Sequence, residues 1–175
     1  TFWPRWFHPW SPPAYGERAV PQLGDRLTVL TNTGEVVVSA HSQGSVLAVA
    51  TALLADAPVM DRTSFLTHGS PLTRLYARYF PEYCTQRLYT SVAARSQGWI
   101  NLWRPTDYIG GAIEADGVDD RQVFDPPSTQ PPALGEARPR PSRHSDYDRT
   151  AEYRQALADL TGGGGGGADA PVGAA

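Results

Sequence analysis

The sequence predicts an α/β domain built on a parallel sheet, and two observations carry that reading. Short apolar runs rich in β-branched and aromatic residues recur at 35–40, 64–67 and 99–103. Runs that are apolar on both faces suit strands buried inside a parallel sheet. Stretches with helical spacing lie between them, and strand–helix alternation produces parallel crossovers.

The elements follow in order. Residues 1–15 interleave Trp3, Trp6, Phe7 and Trp10 with Pro4, Pro9, Pro12 and Pro13. Proline at that density excludes a helix, so this is an irregular, packed connector. Its tryptophans also suit a membrane boundary, but packing against the sheet is the preferred reading. Val20, Leu23, Leu27 and Leu30 have helical spacing over 17–31, with Gly34 as the expected C-cap. Residues 35–40 form the first buried strand, and 45–55, rich in Ala and Leu, the next helix. The second strand, 64–67, is broken by His68-Gly69-Ser70-Pro71. Residues 72–80 and 82–95 read as helices on either side of Pro81. The third strand is 99–103. The Pro-, Asp- and Gly-rich stretch 112–143 holds one short strand at 122–124. Ser145 or Asp146 is expected to cap a last helix reaching about 160. Six glycines at 162–167 begin a flexible tail. The organisation is therefore a connector (1–15), a core (16–160) and a disordered Gly-rich tail (161–175).

Composition narrows the function. A net charge of −3 gives no electrostatic footprint for nucleic acid. The single cysteine, Cys84, rules out a disulfide within the chain and argues against a cysteine-based metal site. No apolar run approaches the ~20 residues of a membrane helix, and no signal-peptide pattern opens the chain. The chain begins at Thr1 and its only methionine is Met60. The expectation is a fragment with its N-terminus missing. That leaves the compartment unassigned, and membrane association through the missing part stays open.

The chemistry concentrates at Ala40-His41-Ser42-Gln43-Gly44, between a strand and a helix. A sharp strand–turn–helix connection lifts the central hydroxyl clear of the sheet, and needs small residues two before and two after it. Ala40 and Gly44 meet that demand. The same turn places the Gln43 N–H at a helix N-terminus, where it serves as an oxyanion donor. A serine nucleophile needs a base held by an acid, and where the nucleophile sits on such a strand–turn–helix connection the chain order is nucleophile, acid, base. Asp107 lies just past the third strand, where the catalytic loops of parallel sheets gather. Its competitors are Asp116, Asp119, Asp120 and Asp125. Among His8, His41, His68 and His144, only His144 follows Asp107. His41 is read as orienting or packing the turn. For His68, lining a substrate pocket and capping the second strand are both open. Both histidines are carried as candidate substrate-binding residues. No metal or other cofactor is required.

At these residues the chain resembles the α/β-hydrolase superfamily, in particular bacterial lipase- or esterase-like serine hydrolase domains. The resemblance rests on Ala40 to Gly44, Thr67-His68-Gly69-Ser70-Pro71-Leu72, the segment from Asn101 to Gly111, and His144-Ser145-Asp146-Tyr147. It covers about residues 15–160. It implies a three-layer sandwich and cleavage of carboxylic esters, including lipids, with Ser42, Asp107 and His144 as the triad. Acyl transfer or thioester cleavage on the same triad, and a non-catalytic scaffold, are the alternatives. In the family several strands precede the nucleophile strand, whereas here one helix does. The sequence is therefore expected to lack the loop that donates the second oxyanion hydrogen bond, and to leave the first strand with an open edge. From this follow poor solubility and weak or no activity for this chain alone.

Overall fold

The structure, a computed structural model, describes residues 14–125 and 142–162. The aromatic connector over 1–13, the Pro-rich stretch over 126–141 and the glycine run from 163 onward lie outside the described residues. The elements are α1 (Tyr15–Thr31), β1 (Val36–His41), α2 (Gln43–Leu54), α3 (Ala57–Met60) and β2 (Thr63–His68). After them come α4 (Gln86–Arg95), β3 (Gly98–Trp103), β4 (Val118–Gln122) and α5 (Ala151–Gly162).

Four strands form one sheet in the order β1-β2-β3-β4, and every neighbouring pair is parallel. The α/β class with a parallel sheet is what the chain adopts. Val38 stands opposite Phe65, Phe65 opposite Trp99, and Trp99 opposite Val118. This row packs with Ala48, Val49 and Ala52 of α2 and with Tyr89, Val92 and Ala93 of α4. The alternate row, Leu66, Ile100 and Leu102, packs with Ala156, Leu157 and Leu160 of α5. Successive strand side chains point to opposite faces, so the apolar runs of β2 and β3 fill a core on each side.

Several boundaries differ from expectation, each for a local reason. Helix α1 starts at Tyr15, inside the expected connector, and closes at Asn32 instead of Gly34. Helix α4 starts at Gln86 instead of 82, because Thr85 Oγ1 accepts the Leu88 N–H at 3.1 Å. The helix expected over 72–80 opens as a wide π-type turn, Leu72–Ala77, in which the Tyr76 N–H reaches the Pro71 carbonyl five residues back. The last strand lies at Val118–Gln122, not 122–124. The last helix is capped by neither Ser145 nor Asp146; Thr150 Oγ1 accepts the Tyr153 N–H at 3.1 Å.

The two edges of the sheet are unlike. β4 ends it with Asp119 and Arg121, an ion pair at 2.7 Å. β1 ends it with Val36, Val37 and Val38, only half-buried, and β2 is its one strand partner among the described residues. A polar seam crosses the interior. Trp99 Nε1 donates to Thr67 Oγ1, Thr67 to Asn101 Oδ1, and Asn101 Nδ2 to Asp120 Oδ1 and to the Gly111 carbonyl. It ties the loop after β3 to the sheet, and that loop carries Asp107. Among the described residues no helix is long and apolar enough to cross a membrane.

Candidate active site

Three of the sequence-selected residues meet at the C-terminal ends of the strands. His144 Nε2 lies 2.7 Å from Ser42 Oγ, and His144 Nδ1 lies 3.0 and 2.9 Å from the two carboxylate oxygens of Asp107. A carboxylate only accepts, so Nδ1 carries the proton facing Asp107. In a neutral imidazole this leaves Nε2 as the acceptor for the Ser42 hydroxyl.

Ser42 stands between β1 and α2 with φ 53° and ψ −122°. That backbone region is costly for a residue with a Cβ, on the order of 1–3 kcal/mol. It is held by the bond from the Ser42 N–H to the His68 carbonyl (3.0 Å) and by the Ser45 N–H on the Ser42 carbonyl (2.9 Å). Gln43 is the first residue of α2, so its N–H is among those the helix leaves without an internal partner. The steric demand on the flanking positions is milder than expected. A Cβ at Gly44 would meet that of Ala40 at 3.7 Å, an ordinary contact.

Asp107 is completely buried. Its Oδ1 accepts the N–H groups of Ile109 (3.0 Å) and Gly110 (2.8 Å), and its Oδ2 accepts the Tyr147 hydroxyl (2.9 Å). Burial pushes the carboxyl pKa up, but the bonds from Gly110, His144, Tyr147 and Ile109 outweigh it and hold it below the usual carboxylate value. Asp107 is thus both the turn former and the partner of His144. Three of the four competing carboxylates are used elsewhere. Asp119 pairs with Arg121, Asp120 accepts from Asn101, Ile113 and Glu114, and Asp125 accepts from Thr106 and Ser142. Two glycines admit this packing. Gly69 has φ +58°, and a Cβ there would sit 3.2–3.3 Å from His41, Tyr147 and Asp107. A Cβ at Gly110 would lie 2.5 Å from Asp107 Oδ2.

His41 and His68 flank the group. The His41 ring lies 4.8 Å from that of His144 and 5.2 Å from that of His68. His68 Nε2 is 3.4 Å from Ser39 Oγ, which is 2.7 Å from the Tyr153 hydroxyl. Burial and the neighbouring His41 lower the His68 pKa to about 4, so it is uncharged at neutral pH. A cleft of about 390 Å³ is lined by Ser39, His41, His68, Tyr147 and Tyr153, with Asp146 and Asp148. Ser42 is not among the residues that line it. Among the described residues no three His, Cys, Asp or Glu side chains are grouped as metal ligands.

Sequence reasoning missed Tyr147, Gly69 and Gly110, and also Arg74, an exposed residue whose guanidinium nonetheless donates to the Asp107 main-chain carbonyl. Arg104 was missed as well. No family model matches this chain, and no curated protein or solved structure matches it.

Proposed function

We propose that this chain carries the catalytic residues of a serine hydrolase with an α/β-hydrolase-like three-layer sandwich, acting on carboxylic esters. The observation that carries the reading is the unbroken hydrogen-bond chain Ser42–His144–Asp107, on a strained turn at the C-terminal ends of parallel strands. The roles follow from the proton positions. Ser42 Oγ attacks the ester carbonyl carbon while its proton passes to His144 Nε2. The Gln43 N–H faces the negative oxygen that forms. Asp107, held ionised, stabilises the imidazolium. The C–O bond then breaks, and the leaving alcohol takes the proton from Nε2. Water repeats the sequence, with His144 again accepting a proton, and the acyl group leaves as a carboxylic acid.

A fluorophosphonate probe with mass-spectrometric mapping tests this. Phosphonylation of Ser42, abolished in Ser42→Ala, is the expected result. Ser42 left unmodified, both in this chain and in a folded form extended upstream of Thr1, would sink the reading and favour a non-catalytic scaffold.

A further inference from the structure

The turn that carries His144 is built from unfavourable pieces. Arg143 and Asp146 have φ 51° and 58°, and neither is glycine. A left-handed residue with a Cβ costs roughly 1–2 kcal/mol, less for Asp than for Arg, so the turn gains from outside support to hold this shape. That support falls on its main-chain carbonyls. Arg104 Nη1 donates to the carbonyls of Arg143 (3.2 Å) and Ser145 (2.5 Å), and Nη2 to that of Asp146 (3.4 Å). His41 Nε2 lies 2.8 Å from the remaining carbonyl, that of His144 itself. A carbonyl only accepts, so His41 donates from Nε2. Four consecutive carbonyls are thereby gathered by two side chains.

We infer that Arg104 and His41 are positioning residues that set the place of His144 by gripping its main chain, an inference that rests on the serine-hydrolase reading. Arg104 is only 1% exposed, and burying a charge is costly unless it is compensated. Its compensation comes from the three carbonyls, an aromatic face and a carboxylate, while Nε itself has no hydrogen-bond partner among the described residues. The Tyr147 ring lies 4.4 Å from its Cζ, and Asp125 lies 3.8 Å from its Nε. A lysine ammonium cannot span three carbonyls as the planar guanidinium does. The placement of the two donors explains their value. Arg104 follows β3 directly, three residues before Asp107, so it references the turn to the acid. His41 precedes Ser42, so it references the turn to the nucleophile.

The test uses Arg104→Lys, Arg104→Met, His41→Phe and His41→Gln in this chain. Two readouts are followed: the rate of Ser42 phosphonylation against pH, and the low-field NMR resonance of the His144 Nδ1 proton facing Asp107. Arg104→Lys and His41→Phe should each slow labelling by up to about 10²-fold, the size expected of a reacting group misplaced by an ångström. His41→Gln, which keeps a donor, should recover most of its loss, and the resonance should broaden or vanish in the Arg104 variants. Labelling within about twofold of the parent at every pH, with the resonance intact, overturns the inference. If the Arg104 variants do not fold, the exposed His41 decides, and equal behaviour of His41→Phe and the parent overturns it. A parent that never labels counts against the hydrolase reading and not against the grip, which the resonance alone then judges.

Discussion

Two glycines stand next to the hydrogen-bond chain, and they differ in the room around them. A Cβ at Gly44, beside Ser42, would touch Ala40 at 3.7 Å, while a Cβ at Gly110, beside Asp107, would lie 2.5–2.6 Å from Asp107 and from the Gly69 main chain. In the proposed mechanism the nucleophile side is the Ser42 turn, which takes its geometry from the backbone: one strained residue, one strand end, one helix start. It leaves space. The acid–base side joins two loops far apart in sequence, and it is filled until nothing more fits. Where a continuous strand–helix unit fixes an atom, packing can be loose. Where loops must meet, contacts have to define the position.

The sharpest way to break this comparison is Gly110→Ala. The new methyl group has only backbone and a buried carboxylate to push against, so Asp107 must move. Phosphonylation of Ser42 should fall by about 10²-fold, and a urea titration should show a loss of about 1–3 kcal/mol, the usual cost of overpacking. Labelling at the parent rate would show that the acid–base side is not tightly defined.

A smaller effect sharpens the picture beside the nucleophile, where His68 is kept uncharged. Its folded pKa, about 4, lies below the ordinary value of 6.5. As pH falls from 7 to 5, the unfolded chain takes up a proton that the folded chain refuses, so stability drops, by about 2 kcal/mol. Urea midpoints at the two pH values should therefore separate more for the parent than for His68→Gln. Equal separations would mean that burial does not hold this ring neutral.

The smallest effect is expected at Gly44→Ala. The methyl group fits, and alanine is the better helix former by about 0.5–1 kcal/mol. Thermal melting should rise slightly while phosphonylation stays at the parent rate. A marked loss of labelling would show that the turn is as tightly filled as the acid loop, and the contrast would disappear.

The same contrast explains what could be read without coordinates. β1, β2 and β3 are legible because Val36-Val37-Val38, Phe65-Leu66 and Trp99-Ile100 are apolar on both faces, and the sheet buries both faces. β4 is not legible as placed, since Val-Asp-Asp-Arg-Gln has no apolar run; it is held by Asp120 accepting from Asn101 and from the loop N–H groups. Ser42 is legible from the strand–turn–helix setting of Ala40 to Gly44, Asp107 from its place just past β3, and His144 because no other histidine follows Asp107. Arg104 is not legible in its role. Its targets are carbonyls of residues 143, 145 and 146, which carry no side-chain signature. Thr85 and Thr150 are not legible as caps: the helix expected from 82 runs through Thr85, and Ser145 and Asp146 offer cap side chains earlier in the chain than Thr150.

Ser42 and His144 are 102 positions apart along the chain, with Asp107 between them. During synthesis from the N-terminus, the turn with the hydroxyl emerges long before its partner exists. On the proposed mechanism the hydroxyl gains its reactivity only when β3 has joined the sheet and the 143–147 turn has docked beside it. A probe added during refolding would then read the arrival of the C-terminal segment, not the collapse of the core.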